Sequence, residues 1–100
     1  MGPERTATVL LVHDQQLPDG CAPHVQLRDG AGEPTFYIPS AATFPLFEQA
    51  LAAELARKEP GSVRKAVQLR YRLTGRYLTL SCGWVPRPNK AEIDILTITE

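Results

Sequence analysis

No stretch of this 100-residue sequence approaches the run of about 20 apolar residues that a membrane-spanning helix needs. Its opening, Met1-Gly2-Pro3-Glu4-Arg5-Thr6, holds no apolar run of the kind a secretion signal carries. Those six residues match the literal pattern for N-myristoylation. Pro3, directly after the acceptor glycine, removes an N–H and stiffens the segment an acyltransferase has to grip, so no acylation is expected. The reading is of a cytoplasmic chain with no membrane contact. Cysteine is scarce: with only Cys21 and Cys82 and no secretion signal, two reduced thiols are expected. Net charge is absent too, with 11 basic and 11 acidic residues, and a pI near 6.7 lies far below that of a typical nucleic-acid-binding domain. Recognisable catalytic motifs are missing: there is no nucleophile elbow, no metalloprotease helix motif and no phosphate loop. Gly30-Ala31-Gly32 is too short to cradle a phosphate and reads as turn chemistry. No enzymatic activity and no cofactor is expected.

What is present is an ordinary globular mixture, 43% apolar and 22% charged, which excludes a disordered tail. The length suits a single domain over residues 1–100, with 1–5 as a frayed end. Thr6 to Gln15 read as a strand around Val9-Leu10-Leu11-Val12, apolar on both alternating faces. Leu17-Pro18-Asp19-Gly20 is a turn. His24 to Arg28 and Thr35 to Ile38 are short strands separated by a loop that opens at Asp29-Gly30. Phe44, Phe47, Leu51 and Leu55 fall on one stripe of a helix from about Phe44 to Lys58. Thr43 stands where it can cap the start, Pro45 is tolerated in the first turn, and Pro60-Gly61 ends the helix. Residues 63–73 alternate strictly, with Arg70 and Arg72 on the polar side, and Thr74-Gly75 reads as a turn. Tyr77 to Trp84 then form a return strand with Leu78, Leu80, Cys82 and Trp84 pointing one way. Val85 to Lys90 read as a stiff exposed loop, and Glu92 to Thr99 as the last strand. The predicted fold is α+β: a curled, mostly antiparallel sheet of five or six strands with one amphipathic helix, in the order β-β-β-α-β-β-β. Val-Gln-Leu-Arg occurs at both Val25–Arg28 and Val67–Arg70, but the rest of the two halves does not align, so a duplication is not supported.

Charge is unevenly spread. Residues 1–60 carry four bases against eight acids, and residues 61–100 carry seven against three. Such a split marks either a binding face or two halves that neutralise each other on folding. Cys21, His24, Cys82 and His13 are residue types that ligate zinc, but they lack the two close pairs of a structural site, so no metal is expected. Cys21, His24 and Asp19 could meet as a nucleophile, base and acid near one turn, a grouping that proximity in sequence supports only weakly. On this reading His24 is a strand-end residue and Cys82 a small core residue.

The basic side chains are the better lead. Arg70, Arg72, Arg76, Arg87 and Lys90 form the candidate partner-binding set, with Tyr77 and Trp84 close by in sequence. A single helix of about 15 residues, about 22 Å long and 10 Å wide, covers two or three strands on one face only. The doubly apolar first and last strands must therefore be covered by a sheet that curls on itself, by a second copy as a homo-oligomer, or by another protein. The expected function is non-enzymatic binding of a protein partner, as an inhibitor, adaptor or regulatory subunit. The alternative is a nucleic-acid-binding module that uses the basic C-terminal hairpin.

Overall fold

The computed structural model describes residues 3–15, 20–28, 30, 32–57, 61–83 and 85–100. They form β1 (Glu4–Gln15), β2 (His24–Leu27), β3 (Thr35–Pro39), α1 (Phe44–Ala50), α2 (Ala52–Leu55), β4 (Gly61–Leu80) and β5 (Arg87–Thr99). The result is a small sheet-rich domain of five strands and two short helices. The expected turn at Leu17–Asp19, the end of the helix from Lys58 to Pro60, Asp29, Ala31 and Trp84 lie outside the described residues.

The strands close into a barrel in the order β1-β2-β3-β5-β4. β1, β2 and β3 follow one another as an antiparallel meander, and β4 returns to lie antiparallel beside β1. That is a Greek-key path. The ring is completed by β5, antiparallel to β4 and parallel to β3, where Tyr37 stands beside Ala91 and Pro39 beside Ile93. Alternation then decides what points inward. Val9, Leu11, Val25, Tyr37, Leu69, Tyr71, Ile93 and Ile95 fill the interior, and Phe47 and Leu51 join the same cluster. Closure of the barrel covers the inner face of β1 and β5.

The expected strand order needs correction after the helix. Val63–Leu73 and Tyr77–Trp84 are not a hairpin, because both stretches up to Leu80 belong to one 20-residue strand, β4. At about 3.3 Å per residue a straight β4 would run about 66 Å, whereas the whole domain is 37 Å in its longest dimension. The strand therefore has to coil. It does so at Thr74-Gly75-Arg76, where the pairing slips from Leu73 opposite Ile93 to Tyr77 opposite Ala91 and Gly75 takes a φ of 91°. Thr74-Gly75 thus serves a β-bulge rather than a turn, since both need a residue at positive φ. The bulge is tied down by the Thr74 hydroxyl, which donates to Glu92 Oε1 (2.8 Å) and accepts from the Arg76 N–H (3.2 Å). β5 also starts earlier than expected, at Arg87 inside the presumed loop. Pro88 has no N–H to give, and Asn89 sits at φ 60°; the register is correspondingly irregular between Leu78 and Leu80.

The helix is likewise two pieces rather than one, broken at Leu51 (φ −105°, ψ 9°). The Ala50 carbonyl accepts a hydrogen bond from Lys65 Nζ at 2.8 Å. The apolar stripe is as read from the spacing: Phe47 and Leu51 are fully buried, and Phe44 and Leu55 pack against them. Burial of each such side chain contributes roughly 2–3 kcal/mol. Thr43 stands at the N-cap but makes no side-chain cap. Its hydroxyl accepts the Ile95 N–H (3.1 Å) and lies 2.9 Å from Ser40 Oγ, which itself donates to Asp94 Oδ1 at 2.7 Å. This chain of bonds ties the helix entry to β5 at one end of the barrel.

Candidate functional site

Adjacent residues on a strand face opposite ways. Tyr37 is in the core, its ring centroid 5.3 Å from that of Tyr71. Phe36 must therefore lie on the outer surface. The register of β2 with β3 sets Gln26 opposite Phe36 and Val25 opposite Tyr37, so His24 and Gln26 share the outer face with Phe36. The His24 ring meets Phe36 edge-on at 5.3 Å and 87°. The parallel strand β5 approaches from the other side. It brings Arg87 Cζ and Lys90 Nζ each to 5.2 Å from the Phe36 centroid. One aromatic ring thus carries two cations, an arrangement favoured by the negative face of the ring.

Beneath it, His24 and Gln26 are both buried, at 2% and 7% exposure. His24 Nδ1 is 2.8 Å from the Ala22 carbonyl, which can only accept, so the proton is on Nδ1. Nε2 is then the acceptor for the Gln26 amide nitrogen at 3.0 Å. Burial pushes the His24 pKa below its ordinary value. The Ala22 carbonyl and Asp14 oppose that shift, while Arg64 and Arg87 assist it. The ring is neutral near pH 7. Gln26 Oε1, by contrast, is buried with no partner among the described residues. Gln26 also lines an open groove of about 270 Å³, together with Thr8, Val9, Leu10, Arg28 and Ala66.

The two loops beside this face are fastened to each other. Cys21, in the β1–β2 connection, and Cys82, in the β4–β5 connection, form a disulfide. On either side of it Ala22 N–H bonds the Ser81 carbonyl (2.7 Å) and Gly83 N–H bonds the Gly20 carbonyl (3.1 Å). The Cys21 N–H donates to Asp14 Oδ2 at 2.7 Å. The expectation of two reduced thiols is overturned, and Cys82 is half-buried in a covalent link rather than a lone core residue. Sixty-one positions separate the two cysteines in the chain, and only barrel closure brings their Cα atoms to 3.8 Å. With both sulfurs joined, neither supplies a thiolate to a nucleophilic site or to zinc. Among the described residues no three His, Cys, Asp or Glu side chains gather at metal-binding range.

The five basic residues of the candidate set separate into three places. Arg87 and Lys90 meet at Phe36. Arg87 also reaches Glu33 at 4.0 Å, while no carboxylate lies within ion-pair distance of Lys90 among the described residues. Arg70 and Arg72, on β4, both pair with Glu4 across the β1–β4 ladder. Arg76 projects from the bulge with its Nε 3.9 Å from Glu92. Tyr77 beside it is 68% exposed. Several of these pairs, and Lys65 with Glu54 at 3.6 Å, join the basic second half to the acidic first half, so part of the charge split is neutralised within the fold. Phe36 and Gln26 are the residues that the basic pattern alone does not single out. The signal for Phe36 is its neighbour: two adjacent aromatics on a strand cannot both face the core. No family model matches the chain, and neither a curated protein nor a solved structure is found to be similar to it.

Proposed function

We propose that the outer face of β2 and β3 binds single-stranded nucleic acid, with Phe36 stacking on a base and Arg87 and Lys90 taking the flanking phosphates. The observation that carries this reading is the pair of cations at 5.2 Å from one outward-facing aromatic ring. A base offers the ring a larger π-face than either cation, and each cation released from the ring has a phosphate to meet. Such stacking contributes about 1–3 kcal/mol per base. The barrel supports the same reading. A five-stranded Greek-key barrel with its helix between the third and fourth strands has the architecture of the OB fold, in which the β2–β3 face and the β1–β2 and β4–β5 loops hold oligonucleotides or oligosaccharides. Fold analogy alone assigns no function; here it coincides with the cation–aromatic cluster. The reading of a protein partner drew its force from uncovered apolar faces, and closure of the barrel removes much of that force. The large apolar side chains left exposed among the described residues, Leu46, Tyr77 and Val85, sit apart on α1, on β4 and in the β4–β5 connection.

The test is fluorescence anisotropy with labelled DNA and RNA single strands of about 15 nucleotides, a length sufficient for one OB barrel. Binding at low salt should weaken steeply between about 50 and 200 mM, as counterion release requires. No binding at low salt, or binding untouched by Arg87→Glu with Lys90→Glu, overturns the proposal. Retention of a protein and not of nucleic acid by the intact chain would return the partner reading to first place.

A further inference from the structure

Among the described residues of this face, Gln26 is a buried side chain whose hydrogen-bonding capacity is left open in a defined sense. The Ala22 carbonyl fixes the proton of His24 on Nδ1. Nε2 must accept, so the nitrogen of the Gln26 amide must be the atom turned towards it. The direction of the amide is therefore set by the backbone two residues before His24, and its oxygen is the atom left over. Oε1 is out of contact with solvent and has no donor among the described residues, although Gln26 lines the groove that runs over β1 and β4 past Thr8, Leu10 and Ala66. An acceptor in that state has already lost its water. A donor that reaches it gains most of the bond, and a second acceptor placed there is repelled. The groups facing the His24 ring are Asp14 from β1, Arg64 from β4 and Arg87 from β5, and the two arginines disfavour a second proton on it.

We infer that Gln26 Oε1 selects bases that present an amino group, so that the site prefers cytosine to uracil. This rests on the nucleic-acid reading of the face. Cytosine offers its N4 amino group as a donor. Uracil carries a carbonyl at the same position, and its single N3–H is flanked by carbonyls on both sides, which oppose Oε1. Gln26 stands directly across from Phe36 in the ladder, one strand over on the same outer face, so a base that stacks on Phe36 and extends over β2 brings its edge towards the amide. Gln26 thereby acts as a specificity residue, and His24 as a positioning residue that holds the amide with its oxygen free.

The experiment compares oligodeoxycytidine with oligodeoxyuridine of equal length, two strands that differ only in the chemistry at the base edge. The native protein should bind the cytidine strand about tenfold more tightly. Gln26→Leu should keep binding of the uridine strand and bring the two within about twofold. Equal affinity of the native protein for both strands overturns the inference and leaves the nucleic-acid reading intact. So does a tenfold preference that survives in Gln26→Leu. Failure of both strands to bind the native protein overturns the two together. If Gln26→Leu does not fold, the side-chain amide resonances of Gln26 in the native protein decide the matter. They should shift with the cytidine strand at saturation and not with the uridine strand, and unchanged resonances overturn the inference.

Discussion

Two stretches of the barrel carry positive side chains to different ends. Midway along β4, where its ladder with β1 reaches Glu4, Arg70 and Arg72 fold onto that carboxylate and are held in ion pairs at an exposed surface. Beyond its far end, across the loop, Arg87 and Lys90 lie over Phe36. The first pair has its counter-charge supplied by the fold. The second has an aromatic ring, with Arg87 also 4.0 Å from Glu33 and no carboxylate within ion-pair distance of Lys90 among the described residues. The far end is also the covalently fastened one, through Cys21 and Cys82, whereas the Glu4 end is closed by hydrogen bonds and charge alone. A count of positive residues in the sequence does not distinguish these situations. The partner of each cation does.

The largest break in this comparison comes from the covalent fastening. Chain-entropy arithmetic for a loop the size of the Cys21–Cys82 separation gives about 4 kcal/mol of stabilisation as a ceiling. Cys21→Ser with Cys82→Ser should lower the urea midpoint by a corresponding amount, and a reducing agent should do the same to the native protein but not to the variant. Next, Arg87→Glu with Lys90→Glu should weaken single-strand binding by on the order of 100-fold at low salt, with thermal unfolding little changed. Phe36→Ala should cost about tenfold in affinity and flatten the preference among bases. Arg70→Ala with Arg72→Ala is the counterpart at the other end. It should alter affinity by less than about twofold and stability by no more than about 1 kcal/mol, read by anisotropy and urea titration on one preparation. If the last variant lost more binding than the Arg87 and Lys90 variant, the assignment of the two ends would be reversed.

Acidity sharpens the contrast further. His24 is held below the ordinary imidazole range chiefly by burial. As pH falls through about 6.5, the unfolded chain takes up that proton before the folded one. Stability that is complete above this pH is lost progressively on acidification, until the folded ring is protonated as well. Asp14 behaves differently. Burial raises its pKa, but the Ser62 hydroxyl, the Cys21 N–H, His24 and Arg64 together outweigh burial and lower it. Its contribution is therefore kept down to about pH 4, is lost progressively below that as the unfolded carboxylate takes up its proton first, and is gone once the folded carboxylate is protonated as well. Urea midpoints between pH 7.5 and 3, with the His24 ring followed by NMR, separate the two windows. A stability flat through the upper window would remove the claim that His24 is buried neutral.

Much of this architecture was legible residue by residue. The cores of β1, β2 and β3 follow from apolar alternation between Gly and Pro punctuation. The helical stripe Phe44, Phe47, Leu51 and Leu55 follows from its spacing. What could not be read had a common cause, that the decisive information is non-local. Thr74-Gly75 has the chemistry of a turn and of a bulge alike, and only the continued pairing of Tyr77 with Ala91 makes it a bulge. Pro88 argues against a strand unless the register is already irregular there. The break at Leu51 has no glycine or proline to announce it. Of the candidate site, Arg87 and Lys90 stand out as positive residues in a proline-flanked segment, but their meeting with Phe36 depends on the one parallel pairing in the barrel. The disulfide depends on closure in the same way.

The long β1–β4 ladder, from Glu4 beside Arg72 to Gln15 beside Gly61, has a consequence for the chain as it is made. Only Leu10, Leu11 and Val12 of β1 find β2 as an early neighbour. The other rungs wait until residues 61–72 have been synthesised, which at about 5–20 residues per second is a delay of roughly 3 to 11 seconds. Through that interval an apolar strand stands with most of its backbone unpaired, which makes β1 the segment of the nascent polypeptide most in need of shelter from its neighbours on the ribosome.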